Sequence, residues 1–203
     1  MRNHRHREKL RAFAAANGWT YTERDNSLTR RWRGQPFRSD GSNTASDAFR
    51  GYFGPQQFPF VAFTYSYTPQ NSKGNSTSTT HHYEVCVLRI GWALPYLHVG
   101  REGLLTRVLR FLGEQDIDFE SDDFNRAFLV QSTDPRFAYG VIHPQLMEWL
   151  LGPGRILAPW RIDGADLITY GVGRLDIQSF PNKLQAMTAL VNQIPQHVWD
   201  DYA

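Results

Sequence analysis

The apolar residues near the start of the chain repeat at helical spacing. Leu10, Phe13 and Ala14 share one side of a helix that begins near residue 4, and basic residues surround them. Asn17-Gly18 follows directly, and glycine readily takes the positive φ that ends a helix. The pattern therefore predicts a basic N-terminal helix over about residues 4–16.

Downstream, the period of the pattern shortens to two residues, which is typical of strands. Aromatic and β-branched residues suit a pleated sheet, and clusters of Gly, Pro, Asn and Asp separate the apolar runs. In the longest run, alternate residues form the core side, namely Val61, Phe63, Tyr65 and Tyr67. We expect strands at about residues 19–22, 27–32, 48–53, 58–68, 83–90 and 95–99.

A polar segment interrupts these strands. Residues 69–82 are rich in Ser, Thr, Asn and Gly and offer nothing to bury. Such composition between two strands is typical of an exposed loop. We predict a long, mobile, polar hairpin tip at residues 69–82.

Helices and strands alternate in the middle of the chain. Leucines and other apolar residues at helical spacing predict a helix at about 104–112. An acidic strand at 116–123 and an apolar strand beginning near Phe124 come next. Proline is favoured at the first position of a helix, so Pro135 and Pro144 predict two short helices after them.

The C-terminal part of the sequence predicts a hairpin and a last helix. Asp163-Gly164 lies between two apolar runs, as in a tight β-turn. Ser179 can cap a helix that Pro195 then stops. Strands joined mostly as hairpins, with helices grouped around them, predict an α+β fold with a mainly antiparallel sheet of about six to nine strands. We expect a single domain over residues 1–203, since domains usually hold about 100–200 residues.

The composition indicates the cellular compartment in which the protein is found. A lone cysteine, Cys86, excludes an internal disulfide and favours a reducing environment. No secretory signal is evident, and no run of about 18 apolar residues could span a membrane. The sequence predicts a soluble cytoplasmic protein.

Charge is unevenly distributed along the chain. Residues 1–50 carry 11 Lys and Arg against 5 Asp and Glu, a net +6, whereas residues 51–203 carry 11 against 15, a net −4. Such asymmetry suggests an interaction with a charged partner. The candidate binding cations are Arg5, Lys9, Arg7, Arg11, Arg30, Arg31 and Arg33.

The acidic stretch is a candidate metal or catalytic site. On an extended strand, Asp116, Asp118, Glu120 and Asp122 all project from one face, and carboxylates are the ligands that Ca²⁺ and Mg²⁺ prefer. The spacing does not match the EF-hand loop, however. Paired carboxylates also serve in glycoside hydrolysis. A solvated acidic face is the simpler interpretation.

Other catalytic motifs are absent from the sequence. His81, His82, Cys86 and His98 are the candidate soft-metal ligands, but they lack zinc-site spacing. There is no nucleophile elbow, phosphate-binding loop or dinucleotide fingerprint. No cofactor is predicted.

Asn125 and Arg126 form a polar pair between Phe124 and Phe128. Buried polar groups need hydrogen-bond partners, so we expect the pair to tie the acidic stretch to the sheet, with Arg126 bound to Glu120 or Asp122. Ligand binding by the pair is the alternative.

The motif Phe124-Asn125-Arg126-x-Phe128-x-Val130, followed by Asp134, Ala138 and His143-Pro144-x-x-Met147-x-x-Leu150-Leu151, resembles an uncharacterised bacterial domain-of-unknown-function family. His143 replaces the usual threonine. The resemblance is good over about residues 105–152 and looser over 160–199. It implies no activity, cofactor or partner.

The sequence favours a noncatalytic module that binds another protein or a second copy of itself. A metal-dependent hydrolase or sugar-binding protein, using residues 116–123, is one alternative. Binding of nucleic acid or acidic lipid through the basic N-terminal region is another.

Overall fold

The computed structural model describes residues 2–70, 79–101 and 115–202. Within these residues the chain forms seven strands and six α-helices, together with two short 3₁₀ helices at Asn26–Arg30 and Pro153–Leu157. The elements run α1 (Arg2–Ala16), β1 (Thr20–Arg24), β2 (Gly41–Phe53), β3 (Phe58–Pro69), β4 (His81–Arg101), β5 (Gln115–Ile117), α2 (Asp122–Ala127), β6 (Phe128–Ser132), α3 (Pro135–Val141), α4 (Pro144–Leu151), β7 (Trp160–Val172), α5 (Phe180–Gln193) and α6 (Gln196–Tyr202).

The strands form one sheet in the order β1-β2-β3-β4-β6-β5, and β7 also pairs with β4. The pairs β1–β2, β2–β3, β4–β6 and β5–β6 are antiparallel. The predicted α+β class is therefore confirmed.

The chain divides into two compact units, each built from two separate stretches. The first unit comprises Met1–Val87 and Tyr170–Pro181, and the second comprises Leu88–Thr169 and Asn182–Ala203. Strands β4 and β7 contribute residues to both. The expectation of a single domain stays a prediction.

In the first unit, α1 packs its apolar residues inward. Leu10 and Ala14 are buried, and Phe13 makes edge-to-face contacts with Phe49 and Phe180. Gly18 ends the turn with φ +68°. The predicted N-terminal helix is confirmed. Its apolar periodicity was sufficient to predict it, because only one face of the helix packs against the core.

The hairpin of β2 and β3 is also confirmed, with both strands longer than predicted. The alternating residues Val61, Phe63, Tyr65 and Tyr67 are buried as expected. Phe60, Ala62 and Thr64 on the other face are buried as well. Both faces of β3 are therefore covered, which a period of two does not reveal.

The predicted strand at residues 27–32 is wrong. Its first part is the 3₁₀ helix Asn26–Arg30, because the Asp25 side chain accepts hydrogen bonds from the Ser27 N–H and hydroxyl and so caps a helical turn. The two predicted strands at 83–90 and 95–99 belong to one long strand, β4. Most of the predicted hairpin tip, residues 71–78, lies outside the described residues.

In the second unit, the acidic strand is shorter than predicted. Only Gln115–Ile117 is a strand, and Asp122–Ala127 is a helix because Ser121 caps it by accepting the Phe124 N–H. The prediction that a strand begins at Phe124 is therefore wrong; β6 begins at Phe128.

The two proline-started helices, α3 and α4, are confirmed. Asp134 and His143 are their N-caps, accepting the N–H groups of Phe137 and Leu146 respectively. The predicted helix at 104–112 lies outside the described residues.

The predicted hairpin at Asp163-Gly164 is wrong. Gly164 does take a positive φ of +60°, but the chain continues in the same strand from Trp160 to Val172. The glycine thus introduces a local irregularity rather than a reversal. The last predicted helix is confirmed as α5, and the short α6 after Pro195 was not predicted.

Candidate functional site

Three cations of α1 are exposed on the first unit. Arg5, Lys9 and Arg11 are exposed, and none of them has a hydrogen-bond or ion-pair partner among the described residues. We call these three residues the α1 cations. Arg7 differs, since its guanidinium lies 2.6 Å from the Glu23 carboxylate on β1. The fold therefore uses one of the four predicted helix cations internally.

The remaining candidate cations follow α1 in the sequence. Arg30, at the end of the first 3₁₀ helix, is exposed, and Arg33 is exposed shortly after it. The Arg31 guanidinium lies 4.9 Å from the centre of the Trp32 ring, a cation–π distance. Part of the N-terminal positive charge therefore covers the aromatic core.

The apolar residues of α1 and several aromatic residues of the first unit belong to its core. Leu10 and Ala14 of α1 are buried, and so are Trp32 and Phe49. Trp19 packs against Phe60 with ring centres 4.9 Å apart. In the described part of the first unit, the apolar side of α1 is therefore not available for insertion into lipid. The aromatic rings named above are likewise not available to stack on bases.

The acidic stretch is divided between two elements of the second unit. Asp116, Asp118 and Glu120 are exposed and alternate with buried Ile117 and Phe119, as the sequence predicted. Asp122 instead lies in the first turn of α2, where a carboxylate interacts favourably with the helix dipole. The expectation that all four carboxylates share one strand face is therefore wrong.

Asn125 holds the acidic stretch in place. Its side-chain nitrogen donates to the Phe119 carbonyl at 2.7 Å, and its oxygen accepts the Phe119 N–H at 3.0 Å. Both ends of the Asn125 amide are thus hydrogen-bonded to the backbone of Phe119. This agrees with the structural role expected of Asn125. Arg126 bonds Asp123 rather than Glu120 or Asp122, because the helix places residues three apart side by side.

Metal-binding geometry is not found in the described part of the chain. No three His, Cys, Asp or Glu side chains there are grouped as a metal ion requires. Cys86 is buried in β4, His82 contacts the Ser66 hydroxyl in the first unit, and His98 is buried in the second unit.

His82 lies between a hydroxyl and a guanidinium on the first unit. Arg174 is 3.0 Å from its Nε2, and Ser66 Oγ is 2.8 Å from its Nδ1. A guanidinium can only donate, so Nε2 accepts and the proton of the neutral ring lies on Nδ1, which donates to Ser66. Burial first, and the charges of Arg174 and His81 next, lower the pKa of His82. His82 therefore does not act as the base that would activate Ser66.

A row of four polar residues, three of them buried, crosses the sheet of the second unit. His98 on β4 and Asp116 on β5 both lie opposite Gln131 on β6. Gln131 donates to Asp116 at 2.9 Å, and His98 feels the positive charge of Arg161 on β7. His98, Gln131 and Arg161 are only 3%, 4% and 2% exposed. We call these four residues the polar row.

Sequence reasoning identified His98 and Asp116 but missed Gln131 and Arg161. A signal was present, because Gln131 follows the apolar run 128–130 and Arg161 stands between Trp160 and Ile162. A polar side chain inside a buried strand usually has a specific partner or role.

The row is not arranged for acid–base chemistry on a substrate. Burial, and then the charge of Arg161, lower the pKa of His98 to about 4. The ring is consequently neutral near pH 7. Its Nδ1 and the Gln131 oxygen have no hydrogen-bond partner among the described residues. With so little exposure, His98 does not reach a substrate in this conformation.

The fold has a counterpart among solved structures, although neither a family model nor a curated protein matches the sequence. The crystal structure of the mycobacterial trehalose monomycolate transport factor A, TtfA, superposes with a TM-score of 0.68 at 12% identity. The alignment covers 93% of this chain and 95% of that chain. At this identity the likeness establishes the fold alone. Among the described residues, no helix is both long and apolar enough to cross a membrane.

Proposed function

We propose that this protein is a noncatalytic binding module whose α1 cations recognise an acidic surface on another protein. The observation that carries the proposal is that Arg5, Lys9 and Arg11 are exposed and unpaired among the described residues, although Arg7 on the same helix has a carboxylate partner. Cations without an internal partner remain available to an external one. The transport factor that shares this fold has a name compatible with a binding role.

An acidic protein fits this surface better than a membrane does. Leu10, Phe13 and Ala14 supply the apolar side of α1, and all three face the core of the first unit. Helices that bind in the membrane interface require an apolar face to insert. The exposed side chains described on α1 are those of charged residues, two histidines and alanines.

Nucleic acid is also a weaker candidate. Single-stranded nucleic acid binding relies on aromatic side chains that stack on bases, and Trp32 and Phe49 are buried. Glu8 lies within the outward side of α1, bonded to His4 at 3.1 Å, and would repel phosphates. A protein surface can place its carboxylates around Glu8.

Affinity purification from the native host tests the proposal. The variant carries Arg5→Glu and Lys9→Glu, and the matched control carries Arg89→Glu and Arg155→Glu, which reverse two exposed cations of the second unit. Exposed charge pairs contribute about 0.2–1 kcal/mol each, and reversal adds repulsion, so about a tenfold loss of captured partner is expected. The control should retain the partner at the wild-type level.

Two further arms separate the alternatives. Capture that disappears after nuclease treatment would replace the acidic protein with nucleic acid as the ligand. Equal binding of phosphatidylserine vesicles by wild type and control, lost in the α1 variant, would favour a lipid surface. If the α1 variant captures the same proteins as wild type, the proposal is wrong. Unchanged thermal unfolding of both variants shows that they remain folded.

A further inference from the structure

Two indole rings, one exposed and one half-buried, lie in contact on the second unit. The Trp92 side chain is 49% exposed, and its ring centre lies 5.6 Å from that of Trp199 on α6, with the two planes tilted by 50°. Tryptophan is among the residues that contribute most to protein–protein binding energy.

The backbone of β4 brings Trp92 to the surface. Gly91 has φ +93°, a conformation that residues with a side chain rarely adopt. Gly91, Trp92 and Ala93 are consecutively exposed, whereas Ile90 and Leu94 on either side are buried. A strand with regular alternation would bury one of the three. Such local irregularities commonly redirect a side chain at a binding site.

A hydrogen bond holds the Trp199 ring in place. The Trp199 Nε1–H donates to the Ile194 carbonyl at 3.2 Å, so its polar edge is satisfied within the unit. Asp200, the next residue on α6, is exposed, and one of its oxygens accepts from Gln196 at 2.9 Å. This bond holds the negative charge of Asp200 one residue along α6 from Trp199.

We propose that Trp92, Trp199 and Asp200 form a docking site for an arginine side chain of a partner protein. A guanidinium stacks flat on one indole face and donates to a carboxylate at the ring edge. A quaternary ammonium instead requires a cage of several rings, and two indoles in mutual contact enclose no such space. This site shares no residue with the α1 cations, so either proposal can fail alone.

Indole N–H resonances provide a direct test, because the protein has six tryptophans and each gives one signal. The probe is a Gly-Ser peptide with three arginines, and its matched control has citrulline at the same positions. Citrulline keeps the shape of arginine but has no charge. We expect the arginine peptide to shift the Trp92 and Trp199 signals selectively, with little effect from the citrulline peptide.

Variants sharpen the outcome. Trp92→Ala should weaken binding of the arginine peptide about tenfold, and Asp200→Asn about threefold, as expected for a cation–π contact with one ion pair. Tyr52→Ala removes an exposed aromatic ring from the first unit and should have no effect. The Arg5→Glu and Lys9→Glu variant should also bind normally. Equal shifts with citrulline, or unchanged affinity in Trp92→Ala, would overturn the proposal.

Discussion

His98 on β4 lies directly opposite Gln131 on β6, and each of these buried side chains has one hydrogen-bonding atom without a partner among the described residues. Leaving a buried polar atom unpaired costs about 1–3 kcal/mol. The polar row is therefore a place where the second unit gives up stability, and its titration should be measurable.

The pH dependence of stability should report His98. Its pKa is about 4 in the folded protein and 6.5 in an unfolded chain, so between these values the unfolded chain binds more protons. The free energy of unfolding should therefore be highest above pH 6.5, where His98 is neutral in both states. It should fall by about 3 kcal/mol in total as the pH decreases to 4. Urea unfolding from pH 7.5 to pH 4 measures this slope.

The variant His98→Gln is the control, because glutamine does not titrate. It should remove the His98 contribution to the slope between pH 6.5 and 4, while His82, whose pKa is also lowered, contributes equally in both proteins. Carboxylates with lowered pKa, such as Asp40 at about 2, act at lower pH and should respond equally in both proteins. An unchanged slope in His98→Gln would assign the effect to other groups.

Asn125→Ala should destabilise the protein by about 1–3 kcal/mol, because it leaves the N–H and the carbonyl of buried Phe119 without their partners. Arg126→Ala is the matched control, since the exposed pair of Arg126 and Asp123 contributes at most about 1 kcal/mol. Chemical denaturation measures both. Equal losses in the two variants would argue against a structural role for the Asn125 amide.

Asp134 joins two helices of the second unit, as it accepts the Phe137 N–H at 3.1 Å and the Tyr202 hydroxyl at 2.8 Å. The Tyr202 bond, opposed by partial burial, is the largest cause that lowers the pKa of Asp134. We expect Asp134→Ala to cost about 1–2 kcal/mol and Tyr202→Phe about 1 kcal/mol. Hydrogen exchange of α3 amides should accelerate in Asp134→Ala. If Tyr202→Phe were as damaging as Asp134→Ala, the cap would contribute little.

Gly51→Ala should destabilise the first unit. A Cβ at residue 51 would lie 2.4 Å from Cδ1 of the half-buried Trp19 ring, so the indole or the strand must move. Overpacking of this kind costs about 1–3 kcal/mol. Gly140→Ala is a milder comparison, since its nearest neighbour is a Val198 methyl at 2.9 Å. Thermal unfolding in which Gly51→Ala matched the wild type would show that Trp19 adapts freely.

Local sequence was informative wherever a feature depends on residues a few positions apart. Gly18 ends α1, Asp134 and His143 cap α3 and α4, and the alternation of Ile117 and Phe119 with carboxylates persists in the fold. At Asp25 and Ser121, however, the local pattern gave a wrong prediction. Their short side chains cap helical turns that composition alone had assigned to strands.

The sequence by itself determined the α+β class, the inward face of α1 and the chain positions of most elements, because hydrophobic periodicity records which side of an element meets a core. Tertiary structure decided which polar residues are available for function. Arg7 forms an ion pair with Glu23, and Asn125 forms hydrogen bonds with Phe119, only once strands and helices pack. The same packing places Gln131 opposite both His98 and Asp116. Burial and pairing depend on residues distant in sequence, and no local pattern encodes them.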